Sequence, residues 1–506
     1  MQVAHQERHD SRTDTALLLA VGAAFLLLHL AAGGRYGFQR DELATFEDAR
    51  HLATGYVAYP PITPLFGRIS LELFGTSLRG FRFFSALAHA AAAVITGLMA
   101  RELGGKRLAQ TVAALAAAVS PVSLASGALM QYVAFDYLCW VLTAYLLIRL
   151  LRTENPRLWL AIGATVGLGM LSKYSMLFFV MAMLAGLLLT DARRYLGSRW
   201  LWLGVAVSLV IFLPNLLWQV RHGFISLDFL REIHSRDVRI GRAKDFLPNQ
   251  LYVAANVFTV PLWLAGLYFY FRKPEGKKFR VIGWMFVAVL AIFVIAKGRD
   301  YYAAPAYPML LAAGAVVEEK WLRSLATTRS RLVRVGTFAA LIIGGIIAVP
   351  LTLPLAPINS RCWQVANKIN GDFREEVGWP ELVGEVARIR DSLPADERTS
   401  TGILATNYGE AGAIDLYGPQ YGLPRAISGI NSFWAYGYGD PPPKSLIVIG
   451  LARQYRDKHF ASCELAGRVT NPYGILNEET EHPEIYVCRH LRRSWPDFWH
   501  DFRYFG

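Results

Sequence analysis

The chain has 506 residues, 54% of them hydrophobic and 18% charged, a formal net charge of +13 and a mean hydropathy of +0.29. That is too apolar for a water-soluble protein of this length and too long for one small domain. The positive balance does not call for a nucleic-acid partner, because most Lys and Arg fall in short loops between apolar runs.

Apolar runs of spanning length follow in chain order: Ala16–Ala32, Phe84–Leu103, Ala109–Leu129, Phe135–Leu151, Leu158–Leu171, Ser175–Thr190, Leu201–Val220, Tyr252–Phe271, Ile282–Ala296, Ala303–Val317 and Leu332–Leu353. A span needs roughly 20 mostly apolar residues, so these predict about eleven transmembrane helices, with Lys173 dividing Leu158–Thr190 in two. The first run follows Arg8 and Arg12 and ends on Ala31-Ala32-Gly33, as a signal peptide does. It is longer than a signal core and many spans follow, so it reads as retained.

Alternate loops are basic: those at Arg101–Arg107, Arg149–Arg157, Arg193–Arg199, Arg272–Arg280 and Lys320–Arg334. Lys and Arg are held on the cytoplasmic side, which puts these loops inside. The reading is a multi-pass protein of the cytoplasmic (inner) membrane with a cytoplasmic tail, 1–14, and a transmembrane domain, 15–354, whose first outer loop is 33–82. Residues 355–506 then lie outside. The same register gathers Asp41, Glu42, Asp136, Lys173, Lys297 and Arg299 at the outer face.

Charges at a membrane edge are costly unless they work. Arg40-Asp41-Glu42 stands just past the first span. A carboxylate beside a guanidinium stays ionised, so Asp41 is the candidate general base on an acceptor hydroxyl or amine. Glu42 points elsewhere, toward partners of its own. Asp136 heads a span, where it either orients the acceptor or caps the helix. Lys173 offers a point charge for a phosphate, or else snorkels to the interface. Arg299 offers a fork for phosphate oxygens, with Asp300 as a pairing partner. Tyr301 and Tyr302 follow it, at a depth where Tyr commonly anchors the interface. Tyr59 belongs to a stiff stretch, Gly55–Pro64, that can fix a short surface helix beside the site. The chain has no Asp-x-Asp and no Walker loop, which disfavours a metal-bound nucleotide donor and favours a phosphate donor delivered through the membrane.

After Pro354 the composition becomes that of a soluble domain. Thr401–Thr406, Ser445–Gly450 and Ile485–Arg489 read as strands, and Glu410–Leu416 and Ala452–Lys458 as helices, which predicts a small α/β domain. Asn407–Gly412 reads as a plain strand-to-helix turn rather than an anion site. Cys463 and Cys488 lie in strand-like segments and are the favoured disulfide, leaving Cys362 free. No Cys-x-x-Cys is present, so no thiolate metal site is expected.

Arg40-Asp41-Glu42, Tyr59-Pro60-Pro61, Asp136, the run Gly167-Leu-Gly-Met-Leu-Ser-Lys173 and Arg299-Asp-Tyr-Tyr302 together resemble the dolichyl-phosphate-mannose protein mannosyltransferase family (glycosyltransferase family 39) and its bacterial relatives that modify lipid A with aminoarabinose. The resemblance covers roughly residues 15–350. It implies a GT-C fold and inverting transfer of a sugar from a polyprenyl-phosphate co-substrate to a lipid, glycan or protein acceptor. By resemblance Asp41 is the catalytic carboxylate with Glu42 beside it, and Asp136 is the second acid. Lys173 and Arg299 bind the donor phosphate, and Arg40, Tyr59, Tyr301 and Tyr302 line the substrate site. No bound metal is implied. The competing expectation, a multi-span transporter or lipid flippase, calls for a midplane site between repeated halves. No internal repeat is visible.

Overall fold

The computed structural model describes residues 2–506, with side chains from Thr13 onward, so Arg8, Arg12 and most of the predicted tail 1–14 fall outside the described side chains. α1 (Gln2–Ala32) is followed by two short helices, α2 (Arg40–Arg50) and α3 (Ile62–Phe74), in the first loop. Next come α4 (Leu78–Glu102), the bent pair α5 (Arg107–Ala118) and α6 (Pro121–Gly127), and α7 (Tyr132–Thr153). The bundle continues through α8 (Leu158–Met170), α9 (Met176–Leu188), α10 (Arg199–Arg221), α11 (Ile225–Arg239) and α12 (Phe246–Asn249). It ends with α13 (Val260–Arg272), α14 (Arg280–Ile295), α15 (Tyr307–Ser324) and α16 (Thr327–Thr352).

Among the described residues six helices are long and apolar enough to cross a membrane, or nine if each of three bent pairs is one span. Two further apolar runs fall outside this count of length and composition. α8 has only 13 residues, and α15 carries Glu318, Glu319, Lys320 and Arg323 in its second half. α15 lies at the buried centre of the bundle, with Met309–Ala313 almost wholly enclosed. Its approach to α13 needs small residues. A Cβ at Gly266 would stand 2.2 Å from the Leu310 carbonyl oxygen, and one at Gly314 would stand 1.8 Å from that of Leu262. Such contacts replace the hydrophobic drive that lipid does not supply.

Beyond α16 lie α17 (Arg361–Ile369), α18 (Trp379–Asp391) and α19 (Ala395–Arg398). Then follow β1 (Thr401–Ala405), α20 (Tyr408–Tyr417), β2 (Ala426–Ile427), β3 (Ser445–Ile449) and α21 (Arg453–His459). β4 (Phe460–Arg468), α22 (Glu478–Glu481), β5 (Glu484–Leu491) and α23 (Trp495–Asp501) close the chain. The sheet order is β2-β1-β3-β5-β4, parallel among the first three strands and antiparallel beyond. β1 and β3 are buried along their whole length, as strands covered on both faces must be. Cys463 and Cys488 are directly paired on β4 and β5 and form a disulfide, while Cys362 is free and exposed.

The sheet is not a bead on a tether. One of its faces, with Ile403, Ile447, Ile485 and Val487, shares a single apolar core with α18, α20 and the membrane-domain residues Phe38, Leu43, Phe46 and Phe81. Gly412 on α20 permits this, since a Cβ there would stand 2.6 Å from the Leu43 carbonyl oxygen. A buried ionic group pins the same junction. Arg82 at the start of α4 donates to Glu42 (2.6 Å from Nη2, 2.9 Å from Nε), to Glu376 (3.2 Å) and to the carbonyls of Gly33 and Gly37.

Removing one partner of such a group strands the others without water, at about 3–5 kcal/mol. Arg82→Met is therefore expected to lower the midpoint of thermal unfolding in detergent by several degrees. It should also open the 355–400 connection to limited proteolysis. An unchanged midpoint and cleavage pattern would show that the group does not hold the two parts together.

Candidate active site

The sequence-predicted residues meet at the end of the bundle that carries the sheet. α2 opens with a capping box, in which Gln39 accepts from the Asp41 backbone N–H and Glu42 accepts from the Gln39 N–H. This fixes where the adjacent acids point. Glu42 is 0% exposed, and its carboxylate is enclosed by Arg82, by the Met130 N–H (2.8 Å) and by the Gln39 N–H. Asp41 faces the other way. Its Oδ2 accepts from the Gln131 amide at 3.1 Å and its Oδ1 from the Tyr408 hydroxyl at 2.8 Å. A carboxylate oxygen has two lone-pair sites, so each oxygen keeps one for a further donor.

Gln131 joins Asp41 to the cations. It is the N-cap of α7, and the ring of the next residue, Tyr132, lies 5.2 Å from Lys173 Nζ. The rings of Tyr302 (4.2 Å) and Tyr301 (5.4 Å) complete an aromatic cage around that ammonium. Lys173 sits in the break between α8 and α9. The break is tied down by Ser172 donating to the Tyr132 carbonyl (3.1 Å), by Ile62 N–H donating to the Leu171 carbonyl (3.0 Å) and by Ser175 donating to Asp136 (2.7 Å). Among the described residues no carboxylate lies within ion-pair distance of Lys173.

Three expectations change. Asp136 does not cap α7, which begins four residues earlier at Tyr132; its carboxylate accepts from Trp140 Nε1 (3.0 Å) and Ser175 and so braces the Lys173 turn. Arg299 does not pair with Asp300. Its Nε donates to Asp237 of α11 at 2.6 Å, while Asp300 accepts from Asn249 (2.5 Å) and caps the Tyr301 N–H. Arg40, placed among the substrate-binding residues by resemblance, instead pairs with Glu478 and lies 4.9 Å over the Tyr408 ring. For Arg299 and Arg40 the cause is the same: a partner far away in the chain.

The model of the dolichyl-phosphate-mannose-protein mannosyltransferase family matches residues 58–218, a segment that holds Tyr59, Asp136 and Lys173 but neither Asp41 nor Arg299. Over 354 residues the chain is 26% identical to the lipid A galacturonosyltransferase RgtD of Rhizobium johnstonii, covering 68% of this chain and 71% of RgtD. The fold matches ArnT from Cupriavidus metallidurans bound to undecaprenyl phosphate with a TM-score of 0.59 at 14% identity, over 94% of this chain and 98% of ArnT. The chain is a glycosyltransferase of the GT-C fold, with a fold like that of ArnT.

Two residues of this glycosyltransferase's candidate site were missed in the sequence. Tyr408, the first residue of α20, comes from the C-terminal domain 367 residues away. Its Asn407/Glu410 capping box is legible as a helix start, but nothing local says what the helix will meet. Asp48 lies seven residues after Asp41 and so on the same side of α2, a spacing that could have been read. It accepts from the hydroxyls of Tyr59 (2.6 Å) and Tyr436 (2.7 Å), which places Tyr59 against a buried acid as well as 5.6 Å from the Tyr132 ring.

Burial pushes the Asp48 carboxyl up to about 7, against the two tyrosine hydroxyls that hold it down and with Glu47 adding to the rise. A raised acid binds its proton more tightly in the folded state. Its contribution is complete below the ordinary value of 3.8 and is lost as pH rises through the window to about 7. Thermal stability of the wild type is thus expected to fall across that window, by at most about 1.4 kcal/mol per pH unit from this group. Asp48→Asn should flatten the slope. An equal slope in both proteins would assign the dependence to other groups.

Proposed function

We propose that this glycosyltransferase moves a sugar, with inversion, from a polyprenyl-phosphate donor to an acceptor at the outer face of the cytoplasmic membrane. The observation that carries the reading is the Gln131-Tyr132 pair. It holds a carboxylate with free lone pairs on one side and, on the other, a lysine with no carboxylate within ion-pair distance among the described residues. The similar proteins support the reading: ArnT of Cupriavidus metallidurans is bound to undecaprenyl phosphate, which fits the donor class, and RgtD is a lipid A galacturonosyltransferase, which fits sugar transfer.

The acceptor oxygen attacks the anomeric carbon as the bond from that carbon to the phosphate oxygen breaks. Asp41 takes the acceptor proton. The bonding pair leaves on the polyprenyl phosphate, whose growing charge is met by Lys173 and by the N–H groups of Arg299 not bonded to Asp237. Tyr301 and Tyr302 hold Lys173 in place, and Asp136 braces its turn. Glu42 is a structural acid: with Arg82, Met130 and Gln39 around it, it cannot reach an acceptor. Tyr59 positions the wall of the site through Asp48. The transporter reading gains no support from a site gathered at one end of the bundle.

Native mass spectrometry of the purified protein should reveal a co-purifying polyprenyl-phosphate sugar, which then serves as assay donor in proteoliposomes. Asp41→Asn should cut turnover by about two to four orders of magnitude while donor binding persists. Lys173→Ala and Arg299→Ala should weaken binding and turnover together. Tyr408→Phe should lower kcat by about tenfold and leave KM unchanged, because the hydroxyl orients the base and does not bind donor. Near-normal transfer by Asp41→Asn would make Asp41 structural. Normal transfer by Lys173→Ala and Arg299→Ala would remove the donor-phosphate assignment.

The same reading requires the N-terminus inside and the C-terminal domain outside, as the basic loops direct. Reporter fusions at Lys277 and at the C-terminus should report opposite sides; the same side for both would place the site's end of the bundle wrongly.

A further inference from the structure

α17 is the first helix after the last span. Its inner side, Trp363 and Ala366, is buried with Phe373, Val377 and Ile475, against Leu351 in the last turns of α16 and Tyr36 just beyond α1. Its outer side carries Cys362, Val365 and Ile369, a stripe at helical spacing, with Val365 55% and Ile369 65% exposed. The loop that seats Ile475 in the same cluster leaves Tyr473 and Leu476 bare, Leu476 at 73%. Asn359, at the foot of α17, donates to the Tyr473 carbonyl at 2.6 Å and ties that loop to the helix. Arg361 and Lys368 flank the stripe, are exposed, and pair with no carboxylate among the described residues.

A water-facing surface of this kind is unfavourable, and an apolar stripe by itself does not name what covers it. Position does. α16, one short loop upstream, is a span whose outward side chains Ile342, Ile343, Ile346 and Ile347 are likewise uncovered and face lipid. α17 packs against Leu351 in the last turn of that span, so the stripe stands at the level where α16 leaves the membrane. A short helix with Val and Ile on one side and Lys and Arg beside them lies in the interface, its cations among anionic headgroups.

We propose that α17, together with the Tyr473–Leu476 loop, seats the C-terminal domain in the headgroup layer of the bilayer. The seat has a consequence for the site. Glu376 follows α17 by seven residues and holds Arg82, so the depth at which α17 rests sets the height of the domain that delivers Tyr408 to Asp41. The proposal stands on the burial pattern and on the end of α16, and does not depend on the chemistry assigned to Asp41.

The full-length protein, in nanodiscs of phosphatidylethanolamine and phosphatidylglycerol, supplies the test. A Cys139→Ala background leaves Cys362 as the labelling site for an environment-sensitive fluorophore. Ile369→Cys with Cys362→Ser gives a second probe, and Arg453→Cys with Cys362→Ser, on exposed α21, gives a water-facing control. Lipids bearing a nitroxide near the headgroup should quench labels at 362 and 369 several-fold more than at 453, and aqueous iodide should show the reverse order. The proposal is overturned if 362 and 369 follow 453 with both quenchers. It is equally overturned if neither quencher reaches them and they cross-link between copies, which would make the stripe a contact between two chains.

Discussion

The arrangement of this enzyme depends on one buried guanidinium. Arg82 directs its donors to Glu42, to Glu376 and to the carbonyls of Gly33 and Gly37. One side chain thereby joins the turn after α1, the start of α2, the start of α4 and the C-terminal domain. Two carboxylates share this single cation, and burial pushes Glu376 up to about 8, so the group is closest to neutral when Glu376 holds its proton. A charge enclosed this way contributes little net stability. Its loss is costly because the remaining partners have no water to turn to. The shared apolar core around Leu43 and Phe46 supplies the attraction between the two parts, and the ionic group supplies the register.

From that register follows the division of labour between adjacent acids. Neighbours on a helix point about 100° apart, so Asp41 and Glu42 cannot serve the same place. With Glu42 drawn inward by Arg82 and the Met130 N–H, Asp41 is turned toward Gln131 and Tyr408. The acid with open lone pairs is held in place by its enclosed neighbour. Rigid backing of this kind is what a base needs if it is to stand within reach of its proton in every turnover.

The cationic side is built on a different principle. Lys173 is placed by a break in the helices, and the break is held by hydroxyl and backbone hydrogen bonds, one of them from Ser175 to the Asp136 carboxylate, rather than by a direct ion pair. Tyrosine faces hold the ammonium without neutralising it, as a carboxylate would. Arg299, by contrast, is fixed by Asp237 through Nε, which orients the fork. One cation has no carboxylate within ion-pair distance among the described residues, and the other has a set direction.

The apolar runs, the basic alternate loops and the polar tail were legible because they rest on local composition and on one-dimensional rules of membrane insertion. So were the acid at 41 and the lysine at 173, whose types are unusual where they stand, and strands β1, β3 and β5, whose apolar runs are bounded by turns. The bends in three of the runs were not, because a run of apolar residues does not tell a straight helix from a bent pair. Nor were the partners of the charges. Asp237 for Arg299, Glu478 for Arg40, Arg82 and Glu376 for Glu42, and Tyr408 for Asp41 are all distant in the chain. Sequence alone determined which charges stand beside apolar runs, since the cost of burying them is a property of each residue. Only the tertiary structure decided which of them are neutralised and which remain open to a substrate, since that depends on what the fold brings within about 3 Å.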